Sequence, residues 1–209
     1  MEIITHRGYW KNGEEKNKIV AFKRSFSLNL GTETDFRDYN EQIVISHDIA
    51  NKECITARQF FQIFSEHNPT LTLALNVKAD GLQKKLVALI QEFKIENYFV
   101  FDMSIPDTIG YMDSRMKFYS RQSEYEPQPA FYEQCDGIWL DAFIDIWYDA
   151  ELIRQHIGNN KSVALVSPEL HKRSPYKMWE YLKQNNLDTS ERIILCTDVP
   201  EEACVFFNK

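Results

Sequence analysis

An α/β fold, specifically an eight-stranded (β/α)8 TIM barrel, is what the sequence predicts, on three observations. Short apolar runs alternate with amphipathic stretches in about eight strand–helix units, the pattern of a parallel sheet covered by helices. No Pro, Gly or Ser-rich linker divides the 209 residues, so 1–209 reads as one domain. The chain has only seven glycines and no G-x-G-x-x-G fingerprint, whereas a doubly wound open sheet would usually offer a Gly-rich loop early.

The elements follow in order. "EIIT" opens as a strand, and Lys16 to Leu30 reads as helix, with Ile19, Val20, Phe22, Phe26 and Leu30 spaced by threes and fours. "TETDFRDY" and "QIVISHD" form a hairpin about the turn Asn40-Glu41. In its first strand Glu33, Asp35 and Arg37 share one face, because alternate residues of a strand point the same way. The opposite face carries Thr34, Phe36 and Asp38, too weakly apolar to make the charged face simply the solvent side. "TARQFFQIFSEHN" is a helix with Thr56 as N-cap, "LTLALNV" a strand, and "GLQKKLVALIQEFKIE" a strongly periodic helix. Further strands are "YFVFDM", "KFYS", "GIWLDAF", "SVALVS" and "RIILCTD". The helical stretches among them are "DTIGYMDSR", "PAFYEQC", "DAELIRQHIGN", "YKMWEYLKQNN" and "EEACVFFN".

Composition narrows the function. A net charge of −7 and the absence of any Lys/Arg block argue against a nucleic-acid partner. The start "MEIITHRGYW" lacks the basic and apolar regions of a signal peptide, and no run approaches a membrane span, so a cytoplasmic protein is expected. Cys54, Cys135, Cys196 and Cys204 show no close metal-type pairing and read as buried thiols.

Barrel active sites lie at the C-terminal ends of the strands. His6 and Arg7 end the first strand, Glu33 and Asp35 lie on the second, and His47 ends its hairpin partner. Asn76 and Lys78 end the third parallel strand and Asp102 the fourth; Arg121 follows the fifth and Asp141 ends the sixth. Glu169 and His171 follow the seventh, and Asp198 ends the eighth. Singly, each has a structural explanation, Asp198 as a helix cap for example; together on one rim they describe a polar site.

"HRG" at 6–8, "ETDFR" at 33–37, "HD" at 47–48, "NVK" at 76–78 and "TDVP" at 197–200 resemble, in order and spacing, the landmarks of the glycerophosphodiester phosphodiesterase family. "NKIVAF" at 17–22 resembles the family's helix after the first loop. The resemblance implies a (β/α)8 barrel that hydrolyses phosphodiesters with a divalent cation, and it makes His6 and His47 the catalytic pair. It also implies a link to lipid metabolism.

The chemistry of the residues agrees. Two carboxylates on one strand face repel, and a hard cation, Mg2+ or Ca2+, keeps both ionised, so Glu33 and Asp35 are expected metal ligands with Asn76 beside them. Arg7 and Lys78 are placed to hold phosphate oxygens, and His6 and His47 suit general acid and base. Three features depart from the family. Asn76 and Lys16 stand where members usually have Glu, and only "IANKEC" separates "HD" from the next helix, where members that cleave glycerophosphodiesters carry a long insertion. "SPELHKR" at 167–173 makes Glu169 and His171 candidate substrate contacts. The expected substrate is a small-molecule or glycan-linked phosphodiester; the alternative is a catalytically impaired barrel that binds a phosphorylated or glycan-phosphate ligand. A metal-free sugar isomerase on the same fold would need a different constellation, and oligomeric state is beyond the sequence.

Overall fold

The computed structural model describes every residue from Met1 to Lys209. Its contacts cluster into two units, Thr5–Phe118 and Met1–Ile4 with Tyr119–Lys209, and the first strand, β1 (Glu2–His6), is divided between them.

In the unit Thr5–Phe118, β1 is followed by a 3-10 turn (Gly13–Glu15) and α1 (Ile19–Ser27), then the hairpin β2 (Gly31–Tyr39) and β3 (Gln42–Ile45). Next come α2 (Ala57–Ser65), β4 (Leu73–Val77), α3 (Gln83–Glu92), β5 (Tyr98–Phe101) and α4 (Ile105–Asp113). The strands lie in the order β5-β4-β2-β1, with β3 added to β2. β2 serves two partners along its nine residues: Thr32 to Phe36 pair in parallel with β4, and Phe36 to Tyr39 pair antiparallel with β3. Asn40 and Glu41 turn the hairpin at φ of 45° and 64°, the positive pair that a two-residue type I′ turn requires.

Phe36, on the face of β2 that carries Thr32 and Thr34, packs edge-on against Phe60 and Phe61 of α2 with ring centroids 6.1 and 5.7 Å away. That face therefore belongs to the helices, and Glu33 and Asp35 point the other way. α2 starts as its sequence predicts: the Thr56 hydroxyl accepts from the Gln59 N–H at 3.2 Å, and the Gln59 side chain accepts from the Thr56 N–H at 2.9 Å.

In the unit Met1–Ile4 with Tyr119–Lys209 the elements are β6 (Tyr119–Gln122), β7 (Gly137–Leu140), α5 (Ala150–Gly158), β8 (Ser162–Val166), α6 (Tyr176–Gln184), β9 (Ile193–Thr197) and α7 (Pro200–Phe207). The strand order runs β1-β9-β8-β7-β6. Eight parallel strands, each but β6 followed by a helix before the next, make this the (β/α)8 fold that the sequence predicts.

Three local expectations are corrected. The helix expected from Lys16 begins only at Ile19, because Asn17 sits at φ 58°, a left-handed conformation that a right-handed helix excludes. Within α1, Phe22 and Phe26 are buried while Ile19 and Val20 face solvent, so the apolar stripe is narrower than the spacing suggested. "PAFYEQC" forms no helix: the Lys161 ammonium takes the carbonyls of Glu133 and Cys135, the Ser120 hydroxyl takes that of Ala130, and Phe131 has φ 54°. The four cysteines are free thiols, but only Cys135 and Cys196 are buried as expected, while Cys54 and Cys204 are partly exposed.

Candidate functional site

β1 ends at His6, and the next two residues, Arg7 at φ 58° and Gly8 at φ 79°, turn the chain sharply. A β-carbon on Gly8 would lie 2.7 Å from that of Ala21 on α1, so only glycine fits the close approach and the left-handed backbone together. The turn is anchored to β2: the Arg7 N–H donates to the Glu33 carbonyl at 3.0 Å and to its carboxylate at 3.2 Å, and the Gly8 N–H donates to the Thr32 hydroxyl at 3.0 Å.

Glu33 and Asp35 are 1% and 0% exposed, an unusual state for carboxylates. Burial, and then the neighbouring Asp35 charge, push the Glu33 carboxyl up to about 8, although Arg7, Lys78 and a hydrogen bond from Asn76 oppose the rise. Asp35 is gripped from several sides. The Arg7 Nε lies 3.1 Å from its Oδ2, an ion pair without hydrogen-bond alignment, and the Asn17 amide donates to the same oxygen at 2.8 Å. The Lys78 ammonium stands 3.8 Å from Asp35 Oδ1 and 3.3 Å from Asp102. Asn76, level with Asp35 on the adjoining β4, turns its amide toward Glu33 and leaves its Oδ1 buried with no hydrogen-bond partner, as is Asp35 Oδ1. No three His, Cys, Asp or Glu side chains gather here as a metal cluster; the oxygen donors are two carboxylates and an amide.

His6 Nε2 lies 3.9 Å from Glu33 Oε2. His47, in the segment after β3, is more open: its Nδ1 is 2.9 Å from Asp48, and that bond holds the Asp48 carboxyl below its usual range. The segment is tied to β2, since the Ser46 N–H donates to the Asp35 carbonyl at 2.9 Å and the Arg37 guanidinium donates to the His47 carbonyl at 3.1 Å. Thus the structure brings Arg7, Glu33, Asp35, Asn76 and Lys78 together, with His6 at Glu33 and His47 on a segment fastened to Asp35. Two contributors escaped the sequence reading. Asn17, whose Oδ1 also accepts from the Thr34 hydroxyl at 2.9 Å, holds Asp35 in place, and Arg37 holds the His47 backbone. The Arg37 signal was there, in its sharing a face with Glu33 and Asp35; Asn17 gave none beyond its place in "NKIVAF".

Glu169 and His171 lie in the other unit, in and at the end of a short 3-10 turn (Pro168–His171). Glu169 accepts from the Ser167 and Thr197 hydroxyls and from the Asp198 N–H, the last at 3.0 Å, so it fastens the turn to the end of β9. His171 Nε2 is 2.7 Å from Asp141 and its ring packs 5.0 Å from that of Phe143.

No family model matches the sequence, and no curated protein is similar to it. Solved structures are similar over the whole chain. A protein from Galdieria sulphuraria, assigned as a glycerophosphodiester phosphodiesterase, superposes with a TM-score of 0.78 at 18% identity, covering 100% of this chain and 98% of its own. The glycerophosphodiester phosphodiesterase of Agrobacterium tumefaciens gives 0.73 at 11% identity and covers 100% of both chains. That of Thermotoga maritima gives 0.68 at 12% and covers 97% of each. At such identities the likeness establishes the fold.

Proposed function

We propose that the protein is a phosphoric diester hydrolase of the glycerophosphodiester phosphodiesterase type, acting on a small-molecule or glycan-linked phosphodiester. The observation that carries this reading is the buried Glu33–Asp35 pair between Arg7 and Lys78, with His6 3.9 Å from Glu33. The likeness of fold to phosphodiesterases supports it.

Two buried carboxylates, one of them pushed toward its neutral form, and two orphaned oxygens on Asp35 and Asn76 fit a divalent cation, Mg2+ or Ca2+. Glu33, Asp35 and Asn76 would hold it, and when bound it would neutralise the carboxylates and polarise a phosphate oxygen. Arg7 and Lys78 bind and orient the remaining phosphate oxygens, Arg7 as a fork and Lys78 as a point charge. His6 and His47 move protons: one deprotonates the attacking hydroxyl, from water or from the substrate itself, and the other protonates the leaving alcohol. With Nδ1 held by Asp48, His47 presents Nε2 for this task. Four free thiols support a reducing compartment, the cytoplasm.

A second reading, a barrel that binds a phosphorylated ligand without cleaving it, is favoured by Asn76. Its amide already hydrogen-bonds Glu33, which stabilises that carboxylate without a metal. A phosphodiester panel incubated with Mg2+, Mn2+ or Ca2+, scored by phosphomonoester release, separates the two. Cleavage abolished by chelation supports the hydrolase; phosphate-ester binding without turnover under every metal supports the binder.

A further inference from the structure

An open groove adjoins Arg7 and runs between the segment after β1 and the segment after β3, bordered by Lys16, Lys18, His47, Ile49 and Asn51. We propose that this groove seats the alcohol part of the phosphodiester and selects an alcohol that carries a second anionic group, a carboxylate or a phosphate, through Lys16 and Lys18. The inference rests on the phosphodiester site proposed above and names the substrate class of that site.

Both lysines lack an acidic partner, in a chain whose net charge is −7. Lys16 is nevertheless placed: its ammonium sits over the Trp10 ring, 4.3 Å from the centroid, and the Trp10 indole N–H donates to the His6 carbonyl at 3.2 Å. The cation is therefore held by a platform anchored at the end of β1, and ordering it on a ligand costs little side-chain entropy. The acids that border the groove are Asp48, committed to His47 at 2.9 Å, and Glu53, exposed at its rim. Two of the groups that would suit a neutral polyol are engaged already. The Ser46 hydroxyl donates to the Asp48 carbonyl at 2.9 Å, and the Asn51 side-chain oxygen accepts from the Glu53 N–H at 2.9 Å. The cationic groups that the groove offers beyond Arg7 and His47 are these two ammonium groups.

The test uses three p-nitrophenyl phosphodiesters, of glycerol, of glycerate and of glycerol 3-phosphate, with wild type and with Lys16→Gln/Lys18→Gln. In wild type kcat/KM for one or both anionic esters should exceed that for the glycerol ester by about tenfold or more, the preference shrinking with added salt. The glycerate and glycerol 3-phosphate arms tell carboxylate from phosphate. In the double variant the preference should vanish while the glycerol ester is cleaved within about twofold of wild type. Equal rates on all three esters in wild type, or a preference that survives the double substitution, would overturn the inference. If no ester is cleaved, the hydrolase reading fails, and calorimetric titration of the same intact esters still decides the subsite. Tighter binding of an anionic ester, lost in the variant, upholds it; equal or absent binding refutes it.

Discussion

Glu33 is a carboxylate held against its own charge. It is 1% exposed, beside another carboxylate, and held toward its protonated form. Its carboxyl ionises near 4.5 in an unfolded chain and near 8 in the folded one, so between those values the native state binds more protons than the unfolded state. Stability should therefore be highest below pH 4.5 as far as this group is concerned, and should fall as pH rises toward 8. In chelator, Glu33→Gln should melt higher than wild type at pH 8, with a smaller advantage at pH 5.5. Thermal melts across that range check it, and a wild type that grows more stable relative to the variant as pH rises would show that Glu33 is ionised throughout. The histidines are tested differently. His6→Ala or His47→Ala should lower turnover by about two to four orders of magnitude on a cleaved phosphodiester, with circular dichroism and melting cooperativity kept. Glu33, Asp35 and their shared face could be read from alternation alone. Asn17 could not, because its use depends on a left-handed backbone and on a partner 18 residues away.

Elements show the same division between local and tertiary causes. The cap of α2 and the turn of the β2–β3 hairpin were legible because each is a short pattern whose chemistry is complete within four residues. Thr56→Ala removes the hydroxyl half of the reciprocal cap, the bond from the Gln59 N–H, and should cost about 1 kcal/mol, read as a lower denaturation midpoint with unchanged slope. Gly8 is a harder constraint. Gly8→Ala forces a β-carbon against Ala21 and strains φ at 79°, which should cost roughly 1–3 kcal/mol and also shift Arg7. Phosphate affinity, measured by titration of the folded variant, should drop with it. The start of α1 and the non-helical residues 129–135 were misread because distant partners decide them: Asp35 claims the Asn17 side chain, and Lys161 claims carbonyls that a helix would use.

At the scale of the molecule, the (β/α)8 fold followed from the alternation of apolar and amphipathic runs, although the division into two contact units left no mark in composition. Cation binding reports on the whole fold through mass action. If Glu33, Asp35 and Asn76 hold a divalent ion, saturating Mg2+ or Ca2+ should raise the melting temperature more at pH 8 than at pH 5.5, since the proton on Glu33 competes with the metal. Asn76→Glu adds the missing charge and should tighten the ion in calorimetry, while Glu33→Gln with Asp35→Asn should abolish it. Turnover in Asn76→Glu is a separate measurement, because tighter metal binding need not favour the transition state.

The nine residues of β2, paired by β4 along one half and by β3 along the other, give the site a common chassis. The strand that carries Glu33 and Asp35 also grips the His47 segment, by the Asp35 carbonyl and by Arg37. The His47 segment and the Glu33 and Asp35 carboxylates are thus referenced to one strand. Mutations that loosen the hairpin turn at Asn40-Glu41 should consequently blur the alignment of His47 while leaving Glu33 and Asp35, on the half braced by β4, in tolerance.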